Sequence, residues 1–273
     1  MRPIEVVRRG ATYLARHDVA SPEVDAEALM LAVLGTDRTG LTARERELSG
    51  DEARRYGRAL CRRCTGTPLQ HLTGEQGFRH LVLTVRPGVF VPRPETEVLV
   101  DVALAAIAGE AAPRVADACT GTGAIALAIA QEHPGAQVVA TDRSPEAVEL
   151  ALENARALGL DVEVVLGDLL DPVAGPLDLV TCNPPYVPVD RRDELPAEVR
   201  ADPELAVFGG PEIVARLFDE AAARLRPGGH VVVEIEESTA VAIEGLAEAA
   251  GFVDVRTVRD LNGRDRVVTG RRP

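Results

Sequence analysis

Apolar residues recur every three or four positions over the first quarter of the chain, and no alternating run interrupts them. In "SPEVDAEALMLAVLG", Ser21 is the expected N-cap, Pro22 takes the first helical position, Glu23 and Asp25 fall in the first turn, and Gly35 closes the helix. "SGDEARRYGRALCRRCTG" repeats the pattern and ends at Gly66. A small helical bundle over residues 1–70 follows, with Arg and Glu on its outer faces. "TPLQHLTGEQGF" then has the composition of a linker, with Pro68, Gly74 and Gly77. "HLVLTV" and "GVFVP" flank "RPG" and predict a β-hairpin, so residues 71–92 read as linker and hairpin. "PRPETEVLVDVALAAIAG" starts with two prolines and continues as an amphipathic helix.

From residue 114 the period changes. "RVADAC", "AQVVATD", "VEVVLGD", "LDLVTC", "HVVVEI", "FVDVRTV" and "DRVVTGRR" read as strands. Between them "GAIALAIAQEH", "SPEAVELALENARALG", "PEIVARLFDEAAARLRPGG" and "TAVAIEGLAEAAG" read as helices, the second capped by Ser144 with Pro145 at its first position. Alternating strands and helices predict an α/β domain over 93–273, a mostly parallel sheet of seven strands with helices on both faces. Only "RDLNG" joins the last two strands, too short for a parallel crossover, so that pair is expected to be antiparallel.

Composition narrows the class. The 273 residues are 46% hydrophobic and 27% charged, which suits a soluble globular protein. No run approaches the roughly 18 apolar residues of a membrane span, and the charged start lacks a signal-peptide core, so a cytoplasmic protein is expected. A formal net charge of -13 argues against a duplex nucleic acid as the main ligand and favours a protein or small molecule. Cys61 and Cys64 form a C-x-x-C with no second pair or nearby histidine, so no metal site is expected. Cys119 and Cys182 end apolar runs and read as small buried residues, and His17, His71, His80, His133 and His230 are scattered and read as structural.

The chemistry concentrates at strand ends. In "DACTGTGAIALAIA" a strand enters a glycine-containing turn and then a helix, the geometry of nucleotide binding, although G-x-G-x-x-G is not matched. Gly121 and Gly123 permit close backbone approach to a ligand, and the following helix is expected to present free N–H groups. Asp142, 19 residues beyond Gly123, can accept from ribose hydroxyls. Asp168 ends the third strand, at the same edge of the sheet. Ligands in open α/β sheets sit outside the carboxyl ends of the strands, so Asp117, Asp142, Asp168 and Asn183 are expected to point into one crevice. In "LVTCNPPYVPVD" the prolines stiffen the chain and remove donors. The Asn183 oxygen and the Pro184 carbonyl can accept both hydrogens of a planar –NH2 group, with Tyr186 offering a flat face beside them.

The turn, Asp142, Asp168 and "NPPY" together resemble S-adenosylmethionine-dependent methyltransferases acting on planar nitrogens. "GTPLQHLTGEQGF" before "VFVPRPETEVLV", "DPELAVFGG" and "VRDLNGRDRVVTGR" resemble the release-factor glutamine methyltransferases (PrmC/HemK) over nearly the whole chain. The chain departs from that pattern at Cys119, usually glycine, at Asp202, commonly glutamate, and after the fifth strand, where E-I-G is replaced by "EIEEST". The resemblance implies a Rossmann-like methyltransferase sheet and an N-terminal domain that helps hold a protein substrate. It implies that S-adenosyl-L-methionine, released as S-adenosyl-L-homocysteine, is held by Asp117, Cys119, Thr120, Gly121, Thr122, Gly123, Asp142, Asp168, Leu169 and Asn183, with Leu169 near the adenine. Asn183, Pro184, Pro185 and Tyr186 are expected to bind the substrate, and Asn183, Pro184 and Tyr186 to serve catalysis. Arg93, Glu95 and Thr96 are expected near the active site, and the charged loop over 190–204 is expected to contact substrate. The expected reaction is methylation of the glutamine amide in the GGQ motif of peptide chain release factors. Alternatives are a relative specialised for another amide or amine, a nucleic-acid amino-methyltransferase, and a binding module that does not turn over.

Overall fold

The computed structural model describes residues 1–187, 189–195 and 197–273, and the chain divides into two compact units. One comprises Met1–Glu75 with Pro196–Ala201, the other Gln76–Leu195 with Asp202–Pro273. The first unit is helical, with α1 (Pro3–Ala15), α2 (Pro22–Leu34), α3 (Arg38–Ala43), α4 (Gly50–Cys64) and α5 (Leu69–Thr73). Ser21 precedes α2 but makes no side-chain capping bond, so Pro22 rather than the serine hydroxyl sets that start. Ser49 caps α4 reciprocally: its hydroxyl accepts from the Glu52 N–H at 3.2 Å, and the Glu52 carboxylate accepts from the Ser49 N–H at 2.7 Å. Leu14, Leu29, Met30 and Tyr56 form the core. Gly10 lets α1 close on Tyr56, since a Cβ there would lie 2.2 Å from the tyrosine hydroxyl. α5 lies where the sequence predicts linker, and Gly74 ends it with a left-handed φ of 83°.

In the second unit the hairpin is displaced from its predicted place. Its strands are β1 (Glu75–Phe78) and β2 (Leu81–Thr84), turning at Arg79 and His80 rather than at residues 86–88. Arg79 takes a left-handed φ of 51° there, and its guanidinium donates to Glu132 at 2.8 Å and Asp101 at 2.7 Å. Acceptors on other elements therefore fix this turn, a signal no local pattern carries. Residues 89–92 form no strand; Val89 and Val91 are buried from an irregular segment.

The 3-10 turn Pro94–Thr96 leads into α6 (Glu97–Ile107), then β3 (Arg114–Ala118), α7 (Ala124–Glu132), β4 (Gln137–Asp142), α8 (Pro145–Leu158), β5 (Val162–Leu166) and β6 (Leu177–Cys182). A 3-10 turn (Val189–Glu194) and α9 (Ala197–Arg200) follow, α9 belonging to the first unit. Then come α10 (Glu204–Val207), α11 (Pro211–Arg224), β7 (Leu225–Glu234), α12 (Ala240–Ala249), β8 (Val253–Arg259) and β9 (Asp265–Arg271). The predicted helix over 211–229 stops at Arg224, because Arg226 is drawn to Asp178 and Glu110 and the Gly228 N–H donates to the Arg272 carbonyl. "RPGG" therefore belongs to β7.

The seven strands run β5-β4-β3-β6-β7-β9-β8. β3 to β7 are parallel, and β9 is antiparallel to both β7 and β8, as the short connection between the last two strands predicts. Alternate residues of β3 feed opposite cores: Val115 joins the cluster with α6 and α7, whereas Ala116 and Ala118 join the one with α11 and α12. Among the described residues no helix is long and apolar enough to cross a membrane.

Candidate active site

Strand order reverses between β3 and β6: β3, β4 and β5 run outward one way, and β6 returns to the other side of β3. A crevice opens at such a reversal, outside the carboxyl ends of the strands. The 119–123 turn leaves β3 there and Asn183–Tyr186 leaves β6 beside it, with Ala118 and Cys182 paired in register.

Asp117 does not open to the crevice. It is fully buried, accepting from the Thr120 hydroxyl at 2.7 Å and the Thr181 hydroxyl at 2.8 Å. Burial pushes its carboxyl up to about 7, against hydrogen bonds from Thr120, Thr181 and the Ala126 N–H. Asp117 thus ties the turn to β6 and takes up one N–H of the first turn of α7, a donor that the sequence suggests is free for a ligand. Asp142 is more open. One oxygen accepts from the Gly121 N–H at 2.9 Å and the other from the Ser144 N–H at 2.9 Å, which leaves lone pairs on both. Burial raises its carboxyl above the usual range.

The turn is held in left-handed conformations. Gly121 has φ 57° and Gly123 φ 85°, and a Cβ built at Gly121 meets nothing within 4 Å, so that side faces open space. Cys119 has φ 57° without being glycine. It is half-buried and packs against the core cluster that contains Cys182, so only Cys182 is wholly interior. Thr122 is buried, and its carbonyl accepts from Asn154 at 3.0 Å. Leu169 is also left-handed, at φ 47°, and its carbonyl accepts from the Thr141 hydroxyl at 2.6 Å. Asp168 does not end β5 as expected but lies two residues beyond it, and its carboxylate is paired with Arg216 of α11 at 2.7 Å.

On the β6 side, Pro184 and Pro185 are buried while Asn183 and Tyr186 are half-buried. The Asn183 Nδ2 donates to Thr96 Oγ1 at 3.3 Å. This directs Asn183 Oδ1 away from Thr96. Val187 and Gly209 stiffen the exit further: the Val187 N–H donates to the Val207 carbonyl at 3.1 Å and the Gly209 N–H to the Val187 carbonyl at 3.0 Å. Arg93 pairs with Asp202, whose side chain is fully buried, so the "PRPETE" segment is anchored to the 202–204 segment. Within the charged 190–204 segment, Pro196 lies outside the described residues, as does Pro188 just before it.

The sequence reading missed Glu234 and Arg266. Glu234 ends β7 and is 3% exposed. Its carboxyl is pushed up to about 7 by burial, against hydrogen bonding from Thr96 and Asn183 and the charge of Arg266. An acidic residue closing an apolar strand is the same signal that singles out Asp142. Arg266 carries no such signal, because only the antiparallel return of β9 brings it to this edge. Among the described residues no group of three or more His, Cys, Asp or Glu could hold a metal ion.

Comparisons with known proteins agree with this geometry. A model of the PrmC N-terminal domain matches residues 5–74, and a model of the methyltransferase small domain matches residues 81–196. The release factor glutamine methyltransferase of Deinococcus radiodurans is 42% identical over 98% of this chain and 98% of its own. That of Moorella thermoacetica is 43% identical over 96% of this chain and 94% of its own. Among solved structures, a methyltransferase from Pyrococcus furiosus is 19% identical with a TM-score of 0.54, covering 69% of this chain and 87% of its own. A ribosomal protein L11 methylase from Lactobacillus delbrueckii subsp. bulgaricus is 24% identical with a TM-score of 0.53, covering 71% and 96%. These two show the fold alone. With its seven-stranded methyltransferase sheet, its N-terminal helical unit and this identity along nearly its full length, the chain belongs to the release factor glutamine methyltransferase family.

Proposed function

We propose that the chain transfers a methyl group from S-adenosylmethionine to the side-chain amide nitrogen of a glutamine in a peptide chain release factor, acting in the cytoplasm. The observation that carries this reading is the Asn183 carboxamide, whose nitrogen is engaged by Thr96. Its oxygen and the neighbouring Pro184 carbonyl are then the acceptors for a substrate –NH2. An amide nitrogen is a poor nucleophile because its lone pair is delocalised. Two fixed acceptors holding its hydrogens would favour pyramidalisation and stabilise the positive charge developing on nitrogen, and the surplus amide proton would then leave to water. Tyr186 and Pro185 shape the pocket around the plane of the amide.

The donor fits the residues on the other side of the crevice. Open space beside Gly121 and the unfilled lone pairs of Asp142 suit a nucleoside with two ribose hydroxyls. Cys119, Thr120, Thr122 and Gly123 would complete the turn that holds the donor, Leu169 and Asp168 would hold its adenine end, Asn183 would bind at its reactive end, and Asp117 would act from within by holding the turn. When bound, the donor supplies a sulfonium methyl carbon that is already electrophilic, so these residues supply position and electrostatics. The helical unit over 1–70 contributes recognition of the protein substrate, the hairpin segment over 71–92 links it, and residues 93–273 carry the transfer.

Mass spectrometry of a GGQ-containing release-factor peptide, incubated with the protein and S-adenosylmethionine, tests the proposal. One added methyl on the glutamine is expected. Methyl label recovered only in a nucleic-acid fraction of the same reaction would sink it.

A further inference from the structure

Asn183 serves as described only in one of its two orientations. A half-turn of its carboxamide would present two donors to a substrate –NH2, and donors cannot hold donors. We infer that Glu234, acting with Thr96, fixes this orientation and is a positioning residue for methyl transfer, an inference that rests on the function proposed above.

The backbone brings the two together. Cys182 of β6 pairs in register with Val233 of β7, so the next residues on these parallel strands, Asn183 and Glu234, come level at the edge of the crevice. Glu234 also pairs with Val267 of β9, and the Ile235 N–H donates to the Arg266 carbonyl at 2.9 Å, which pins the end of β7. Thr96 and Glu234 are each 3% exposed, so neither is free to trade these contacts for water.

The hydrogen bonds run in one direction. Asn183 Nδ2 donates to Thr96 Oγ1 at 3.3 Å, and Thr96 and Asn183 both stand beside the Glu234 carboxylate, where their donors favour its charged form against burial. An ionised carboxylate only accepts, so Thr96 must turn its hydroxyl proton toward Glu234 and offer a lone pair to Asn183. A flipped Asn183 would set its oxygen against that lone pair and that carboxylate. Glu234 Oε2 has no hydrogen-bond partner among the described residues, so acceptor capacity exceeds donor supply here. The shortage penalises any loss of the Asn183 donor.

Protonation reverses the logic. A neutral Glu234 can donate to Asn183 Oδ1 and so tolerates the flip. The groups bearing on this titration are Arg266 of β9, which favours the charged form, and Glu95 of the 94–96 turn, which opposes it. Burial, helped by the charges of Glu234 and Glu95 and opposed by Arg266 and Arg93, raises the Tyr186 hydroxyl far above neutrality, so it stays protonated throughout. Asp260 pairs with Arg266 at 3.3 Å.

The test compares the parent with Glu234→Gln, Thr96→Val and Thr96→Ser, reading kcat on the release-factor peptide across pH and donor affinity by calorimetry. Glutamine can donate or accept and accommodates either Asn183 orientation. Expected for Glu234→Gln are a kcat loss of about tenfold or more, for loss of a group that preorganises a transition-state contact, donor affinity like the parent's, and disappearance of the parent's acid limb near neutral pH. Thr96→Val loses rate with its hydroxyl, and Thr96→Ser recovers most of it. Unchanged kcat and pH profile in Glu234→Gln overturn the inference. Should that variant fail to bind donor, a Thr96→Val enzyme as fast as the parent overturns it instead. Nitrogen-15 NMR of the Asn183 carboxamide without substrate separates this inference from the proposed function. Its resonances are expected to shift with pH in the parent but not in Glu234→Gln, and a pH-invariant signal in the parent overturns the lock whatever the substrate is.

Discussion

Asn183 has an oxygen and a nitrogen of nearly equal size and opposite hydrogen-bonding sense, so deleting the side chain removes an acceptor without disturbing the donor turn across the crevice. Asn183→Ala is expected to keep donor binding within about threefold by calorimetry while kcat falls by roughly 10²–10³, the scale of losing one transition-state contact of this type. A variant as fast as the parent would refute the acceptor role. Cys119 poses a different question. Its left-handed φ of 57° suits glycine, and a non-glycine residue there costs about 1–2 kcal/mol. The thiol packs into the core cluster with Cys182 rather than standing in open space. Cys119→Gly therefore relieves strain but gives up packing and frees the unfolded chain, and stability is expected to change by less than about 1 kcal/mol. Donor affinity is expected to stay within about twofold. A large gain in affinity would mean that the thiol obstructs the donor.

At the level of elements, the exit from β6 is rigid because a second segment lies against it. Gly209 approaches so closely that a Cβ there would lie 2.1 Å from the Pro185 carbonyl oxygen and 2.9 Å from a methyl of Ile213. Neither the proline carbonyl nor the chain at 209 can yield without moving the other. Gly209→Ala is expected to cost about 1–3 kcal/mol in denaturant unfolding. It should also lower kcat with little change in donor affinity, because the displaced segment carries the acceptors and not the donor turn. Wild-type rates would show that the exit yields without moving Asn183. The second glycine of "DPELAVFGG" matters less for this contact, since a Cβ at Gly210 would meet only the flexible carboxylate of Glu212.

Over the whole molecule, two buried carboxylates stand out against the acidic surface. Asp117 and Glu234 are both raised to about 7 by burial, from ordinary values of 3.8 and 4.5. Between about pH 4 and 7 the native state therefore binds more protons at these groups than the unfolded chain does. Stability from them is present below that window and declines as pH rises through it. His230, lowered by burial, works in the opposite direction, so a difference measurement is needed. The melting temperature of the parent minus that of Glu234→Gln is expected to fall between pH 5 and pH 8. A difference that stays constant across that range would show that Glu234 titrates normally.

Much of this architecture is written locally. The switch from helical to alternating period near residue 114, the caps at Ser144 and Gly35, and the short "RDLNG" link determine an α/β sheet with one antiparallel return and a helical unit before it. Polar residues at strand ends, Asp142 and Asn183 above all, mark the edge where chemistry gathers, because strand order and the rule for ligand placement follow from the alternation itself. What tertiary structure decided lies between elements far apart in sequence. Arg79 turns the hairpin at residues 79–80 because Glu132 and Asp101 wait for it, which the "RPG" motif could not foretell. Asp117 is turned inward because Thr181, on another strand, supplies a donor. The Asn183 nitrogen is engaged because Thr96 of a distant turn accepts from it, and Glu234 comes level with it only through the pairing of β6 with β7. Periodicity records which way a residue faces along its own element. The partner that meets it, and therefore the sense of each hydrogen bond, is set only when the chain has closed.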